Sequence, residues 1–205
     1  MSVVRSIGMG KTLLMMYVTL FSPILSGVFN MIWCKVPVLN CLKYPMDFNK
    51  KFIDGKRIFG DNKTWKGFVG YLVLNILITV IWGFVCNGCG INHLNYFYVN
   101  NNNNTIIFNI FIGLLLGLGY SLFELPNSFI KRRIGIEEGK STNGLKKIFF
   151  IFLDQADSVF GCCLVVWLFY DLGILLYLLY VLVGAITHIL FNMFLYFLHL
   201  RKNMF

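Results

Sequence analysis

Residues 148–170 read "IFFIFLDQADSVFGCCLVVWLFY". The stretch is long and apolar enough to cross a bilayer, which takes about 20 residues. Yet it carries Asp154 and Asp157, three positions apart. A carboxylate at the centre of a membrane helix costs roughly 2.5–3.5 kcal/mol on insertion scales. Residues three apart share one helical face, so the two acids converge on one point. Counted from residue 148, they lie about 9–14 Å deep at 1.5 Å per residue. That depth suits a water-filled cleft open to one face of the membrane. Acids facing a bundle interior are expected to be functional.

The rest of the chain agrees with a membrane setting. Of 205 residues, 58% are hydrophobic, 17% aromatic and only 13% charged, a balance typical of membrane proteins. Five spans are expected, at about 13–33, 67–90, 106–126, 148–170 and 172–198, in a single all-α integral-membrane domain covering 1–205. The N-terminus lacks a small-residue cleavage pattern, so the first span reads as a retained helix. Sixteen of the 18 Lys and Arg fall in segments 34–66 and 127–147 and at the C-terminus. The positive-inside rule makes these the cytoplasmic loops and tail of a multi-pass cytoplasmic-membrane protein, with the N-terminus outside. On the opposite side, "NYFYVNNNNNT" (95–105) reads as a solvated loop. Cys86 and Cys89 form a lone CxxC without a second ligand pair, which excludes zinc and leaves packing thiols or a local disulfide.

Chemistry is therefore expected in the basic loops. "FIDGKRIFGDNKTWKGFVG" (52–70) sets Lys56, Arg57, Lys63, Lys66 and Thr64 among Gly55, Gly60, Gly67 and Gly70, a pattern suited to holding phosphate. It is not a P-loop, because two residues separate Gly60 from Lys63. Lys35, Lys43, Lys50 and Lys51 read as anchors to anionic headgroups. In the second loop, Pro126 is expected to break the third span after Glu124, leaving Asn127, Ser128, Lys131, Arg132, Gly135, Gly139, Lys140 and Ser141 as a polar cluster. Asp154 and Asp157 suit Mg²⁺, which prefers one or two carboxylates together with substrate phosphates.

Three segments carry a family resemblance: "GDNKTWKGFVG" (60–70), "ELPNSFIKRRIGI" (124–136) and "LDQADSVFG" (153–161). In this order they resemble the signatures of the CDP-archaeol synthase family, which is related to the CDP-diacylglycerol synthases. The resemblance covers about residues 52–161 and the five-span layout. It implies a Mg²⁺-dependent cytidylyltransferase with CTP and a lipid phosphate as substrates. The acceptor would be a polyprenyl-glycerol phosphate such as 2,3-bis-geranylgeranyl-glycerol 1-phosphate, or a related phosphatidate. The implied site comprises Asp154 and Asp157 as metal ligands, Lys63, Lys131 and Arg132 in catalysis, and Thr64, Gly67, Ser128 and Lys140 in binding. The chain departs from the diacylglycerol-type pattern, because "STNGLKKIFF" (141–150) stands where a Pro-Gly-His-Gly-Gly stretch is usual, and Asn127 is unusual among archaeal members. No nucleic-acid partner is expected; monomer and homodimer stay open. The rival reading from another class is a small ion- or proton-coupled transporter using the same acidic pair, although no internal repeat supports it.

Overall fold

The computed structural model describes residues 8–100, 103–138 and 144–197. Five helices are long and apolar enough to cross a membrane. They are α1 (Met9–Lys35), α2 (Trp65–Gly88), α4 (Ile106–Arg133), α5 (Leu145–Phe169) and α6 (Gly173–Phe197), with a four-residue α3 (Tyr96–Val99) between α2 and α4. No strand forms among the described residues; two isolated bridges, Pro45–Thr64 and Lys51–Arg57, tie the long loop between α1 and α2 to itself.

Helix α2 packs along α4 and α1, and α5 packs along α4 and α6. The bundle closes where Tyr17 of α1 meets Thr187 of α6 at 2.9 Å and Tyr180 donates to the Thr12 carbonyl at 3.1 Å. Large apolar side chains cover the outside, whereas Ser26, Asn75, Thr79 and Asn109 are buried inside. In lipid the apolar face needs no protein partner, so small residues and internal hydrogen bonds hold the helices together. Ser26 donates to Asn75 (3.0 Å), which donates to the Gly113 carbonyl (2.7 Å), linking α1, α2 and α4 in one chain of bonds.

Two expectations change. Pro126 does not break α4, which runs on to Arg133. Proline removes one backbone donor, but the helix ends only where Gly135, at φ 81°, permits a Schellman turn. That turn is closed by Ile136 N–H on the Lys131 carbonyl (2.9 Å) and Gly135 N–H on the Arg132 carbonyl (3.2 Å). Residues 127–133 therefore belong to a helix, and the second basic loop begins after them. The segment 95–105 is also not simply a solvated loop. Tyr96, Phe97 and Tyr98 are buried in α3, because three consecutive aromatics find cover beneath the helix ends. Cys86 and Cys89 are free thiols, one buried and one exposed.

Helices α4 and α5 approach closely at two glycines. A Cβ placed on Gly161 would stand 2.0 Å from the Gly119 carbonyl oxygen, and one on Gly119 would stand 2.8 Å from the Gly161 oxygen. Both obstacles are backbone, so the helices themselves must separate. Gly161→Ala is expected to lower the thermal midpoint in detergent by the equivalent of about 1–3 kcal/mol of overpacking, or more. Gly88→Ala, whose Cβ meets nothing within 4 Å, should leave it unchanged. Equal melting of the two variants would remove this crossing from the stability of the bundle.

Candidate active site

Helix α4 presents Glu124, Asn127, Ser128 and Lys131 at positions i, i+3, i+4 and i+7, one face of the helix. That face meets Asp154 and Asp157 of α5. Asn127 Nδ2 donates to Asp154 Oδ1 at 2.7 Å and to Asp157 Oδ2 at 2.8 Å, so one amide bridges both carboxylates. The Lys131 ammonium donates to both oxygens of Asp154. Asp157 also accepts from the Ser158 backbone N–H at 2.6 Å. Asp154 is the open member of the pair, its side chain 39% exposed, while Asp157 is only 8% exposed.

Lys63 enters from the loop before α2 and pairs with Glu124. Burial works against its charge, but Glu124, with Asp157 and Asp154 behind it, raises its pKa above the ordinary lysine value. Thr64 is the N-cap of α2, its hydroxyl accepting from the Gly67 N–H at 3.2 Å. Thr64 and Gly67 therefore fix the helix start that places Lys63. Ser128 back-bonds to the Glu124 carbonyl at 3.1 Å. Lys140 lies outside the described residues.

Several cations expected at phosphates, and Arg133 beside them, have structural partners. Lys66 is 1% exposed and donates to the Val36 carbonyl at 2.5 Å. Lys56 donates to the Arg133 carbonyl at 2.6 Å. Arg57 grips Asp47 with Nε at 3.1 Å and Nη2 at 2.8 Å. Arg132 donates to the Phe59 carbonyl at 3.1 Å and to the Ile136 carbonyl. Arg133 donates to the Arg57 carbonyl at 2.7 Å and stacks over Phe129, 4.2 Å from its centroid. Arginine suits this multiple capture through its planar fork of donors. The basic loop is thus fastened to the end of α4 mostly by its own backbone.

Asp47, which sequence reading missed, organises that loop. It is 4% exposed and accepts from the backbone N–H groups of Phe59 (3.0 Å), Gly60 (3.0 Å) and Asn49 (3.1 Å) as well as from Arg57. Within "YPMDFNK" (44–50) only the local bond from Asn49 would be visible, since its other partners lie 10 to 13 residues later. Pairing of Glu124 with a Lys or Arg is one of the two roles its place at a helix end allows, and Lys63 fills it. Asn127 was missed as the bridge between the acids because its shared face with Glu124 exists only if the helix continues past Pro126.

Among the described residues no group of three or more His, Cys, Asp and Glu side chains converges as a metal cage. Asp154 and Asp157 nevertheless fit a hard divalent cation. They are two acids drawn to one donor, beside Asn127 Oδ1, a buried oxygen without a hydrogen-bond partner.

Burial opposes the charge on Asp47, but Arg57 and three backbone donors hold its carboxyl down to about 2. Its contribution is therefore complete above the ordinary value of 3.8 and is lost as pH falls through about 2. Protease protection of residues 44–62 should hold at mildly acidic pH and vanish over that window. Asp47→Asn should lose it at neutral pH, at a cost of about 3 kcal/mol, the low end for a broken buried pair. Unchanged protection in the variant would show that the loop is held without Asp47.

Comparison with known proteins bears on this arrangement. The family described as CarS-like CDP-archaeol synthase matches residues 13–205. CDP-archaeol synthase of Thermofilum pendens is 31% identical over 151 residues, 73% of this chain and 60% of that protein. The Pyrococcus horikoshii protein of the same name is 36% identical over 101 residues, 49% of this chain and 52% of its own length. The matches thus span about half to three fifths of these relatives. A solved structure of an intramembrane enzyme for archaeal membrane lipid biosynthesis superposes with a TM-score of 0.57 at 21% identity, covering 86% of this chain and 92% of the other, and shows the shared fold. On the family match across residues 13–205, the chain belongs to the CDP-archaeol synthase family.

Proposed function

We propose that the protein transfers CMP from CTP to the phosphate of a membrane lipid. An oxygen of the lipid phosphate attacks the α-phosphorus of CTP, the bond from that phosphorus to the bridging oxygen breaks, and pyrophosphate leaves. The products are a CDP-activated lipid and pyrophosphate. The family membership supports a polyprenyl-glycerol phosphate as acceptor. The observation that carries the reading is the bridged pair Asp154 and Asp157 facing Lys63 and Lys131 at the basic end of the bundle.

Phosphoryl-type displacement demands positioning and charge neutralisation more than covalent chemistry. Lys63 and Lys131 each sit on a carboxylate, and an arriving triphosphate offers stronger partners of the same sign. Each ammonium then exchanges a carboxylate for phosphate oxygens without leaving the site. Asp154 and Asp157 would hold Mg²⁺, which when bound supplies Lewis-acid neutralisation of the phosphate oxygens. Arg132 keeps the Lys63 loop against α4 through the Phe59 carbonyl. The half-exposed Asp154, at the end of apolar helices, suits an acceptor whose headgroup reaches the site while its chains stay in lipid.

The charge distribution supports a cytoplasmic site, since sixteen of the 18 Lys and Arg fall in sequence segments 34–66 and 127–147 and at the C-terminus. Cytoplasmic CTP then reaches it directly. No contact or comparison favours the transporter reading.

Three measurements test this. Purified protein given radiolabelled CTP, Mg²⁺ and a panel of lipid phosphates should label lipid and release pyrophosphate; no transfer to any acceptor would overturn the assignment. Lys63→Ala and Lys131→Ala should lose about a hundredfold or more in kcat/KM, as for one transition-state donor worth roughly 2.7–4 kcal/mol. Lys50→Ala and Lys51→Ala should lose little in neutral detergent, and equal losses at all four positions would mean a basic surface rather than a site. For orientation, the exposed thiols Cys41 and Cys89 lie at opposite ends of the bundle. An impermeant maleimide on intact cells should label Cys89 and spare Cys41, and the reverse would place the site outside.

A further inference from the structure

The Asn127 side chain is in an unusual state. It is 5% exposed, and its Nδ2 sits between two carboxylates. Its Oδ1 is buried and has no hydrogen-bond partner. A buried amide oxygen left unsatisfied is costly, and native structures rarely keep one without reason. Here the reason lies in the other half of the amide. Nδ2 carries the positive end of the dipole, and two carboxylates select that end. The amide thus occupies the place where positive charge is wanted, at the expense of its own acceptor.

We infer that Asn127 is a third oxygen ligand of the divalent cation, its amide turning over so that Oδ1 takes the position Nδ2 holds here. The inference rests on the metal reading given under Proposed function. Rotation about the last side-chain bond exchanges the two atoms with little movement of the rest. The exchanged oxygen would lie about as far from Asp154 Oδ1 and Asp157 Oδ2 as Nδ2 does, at 2.7 and 2.8 Å. Adjacent ligands of octahedral Mg²⁺, at 2.0–2.1 Å from the ion, are about 2.8–3.0 Å apart. Two of the three edges are therefore already close to the required length. Without a cation the turned amide would bring three oxygens together, so the donor faces inward. With a cation the preference reverses, and the stranded oxygen gains its partner. The same cation would relieve Lys131 of its role on Asp154, leaving its ammonium for phosphate.

Full-length protein in neutral detergent, with Mn²⁺ as the paramagnetic probe and no CTP, tests the assignment. Wild type should bind Mn²⁺, and Asp157→Asn should not. Asn127→Ala should bind about 10–100-fold more weakly, the usual loss for a removed metal-site partner. Asn127→Asp keeps the oxygen and loses the N–H groups, so it should bind Mn²⁺ at least as tightly as wild type; binding weaker than that of Asn127→Ala would overturn the inference. Because a new carboxylate also attracts the ion by charge alone, carbon-13 asparagine in the wild-type protein separates ligand from donor. Hyperfine coupling between Mn²⁺ and the amide carbon is expected, and its absence overturns the inference. If wild type and Asn127→Ala bind alike, only this inference fails; if wild type binds no Mn²⁺, the metal reading fails with it.

Discussion

At the crossing of α4 and α5 there is no room for even a single methyl group between Gly119 and Gly161. Asp157 lies one helical turn from Gly161 on α5, and Glu124 and Asn127 follow Gly119 on α4. With the backbones this close, a short side chain such as Asn127 reaches from one helix to two carboxylates on the other. Larger residues at the crossing would hold the helices farther apart, beyond the span of one amide. Hydrophobic burial cannot supply this contact in lipid, where apolar faces gain nothing by leaving the solvent. Close van der Waals packing and hydrogen bonds inside the bundle do so instead.

The basic end is assembled by a different force. The loop between α1 and α2 has almost no regular structure, and its apolar contacts are a few aromatic pairs such as Tyr44 with Phe48 and Phe52 with Phe129. Its fold comes from charge-assisted hydrogen bonds to backbone groups. Asp47 gathers Asn49, Arg57, Phe59 and Gly60, while Arg132 and Arg133 hold the carbonyls of Phe59 and Arg57. These bonds satisfy backbone groups that would otherwise be stranded beside the membrane. They also leave Lys63 and Lys131 as the cations turned to acids in the site. Lys56, Arg57 and Lys66 of this positively charged loop are thus taken up by its own fold, while Lys63 is turned to the acids of the site.

Within the site, opposite charges are paired before any substrate arrives. Lys63 sits on Glu124, Lys131 on Asp154, and Asn127 between Asp154 and Asp157. Pairing keeps ionised groups tolerable at the depth of a membrane helix. It also makes binding an exchange of partners, so a polyanion with a dication can displace each contact with another of equal sign. That suits a reaction whose main demand is neutralisation of charge in a fixed geometry.

By itself the sequence determined the helical spans, because a run of about 20 apolar residues in lipid has few other ways to satisfy its backbone. Asp154 and Asp157 stood out for the same reason: charge is conspicuous where apolar residues are the rule. Thr64 before Trp65 and Gly135 after Arg133 are local signals, and the ends of α2 and α4 follow them. The partners of the basic residues are another matter. Lys56, Arg57, Lys63, Lys66 and Arg132 have the same chemistry in the sequence, and only the fold separates Lys63 on Glu124 from the buried Lys66 on a backbone carbonyl. Pro126 shows the limit most directly. Its missing donor predicts a break, yet α4 continues because packing against α2 and α5 holds the helix through one lost hydrogen bond. That continuation puts Glu124, Asn127 and Lys131 on one face, so the tertiary structure decided the composition of the site.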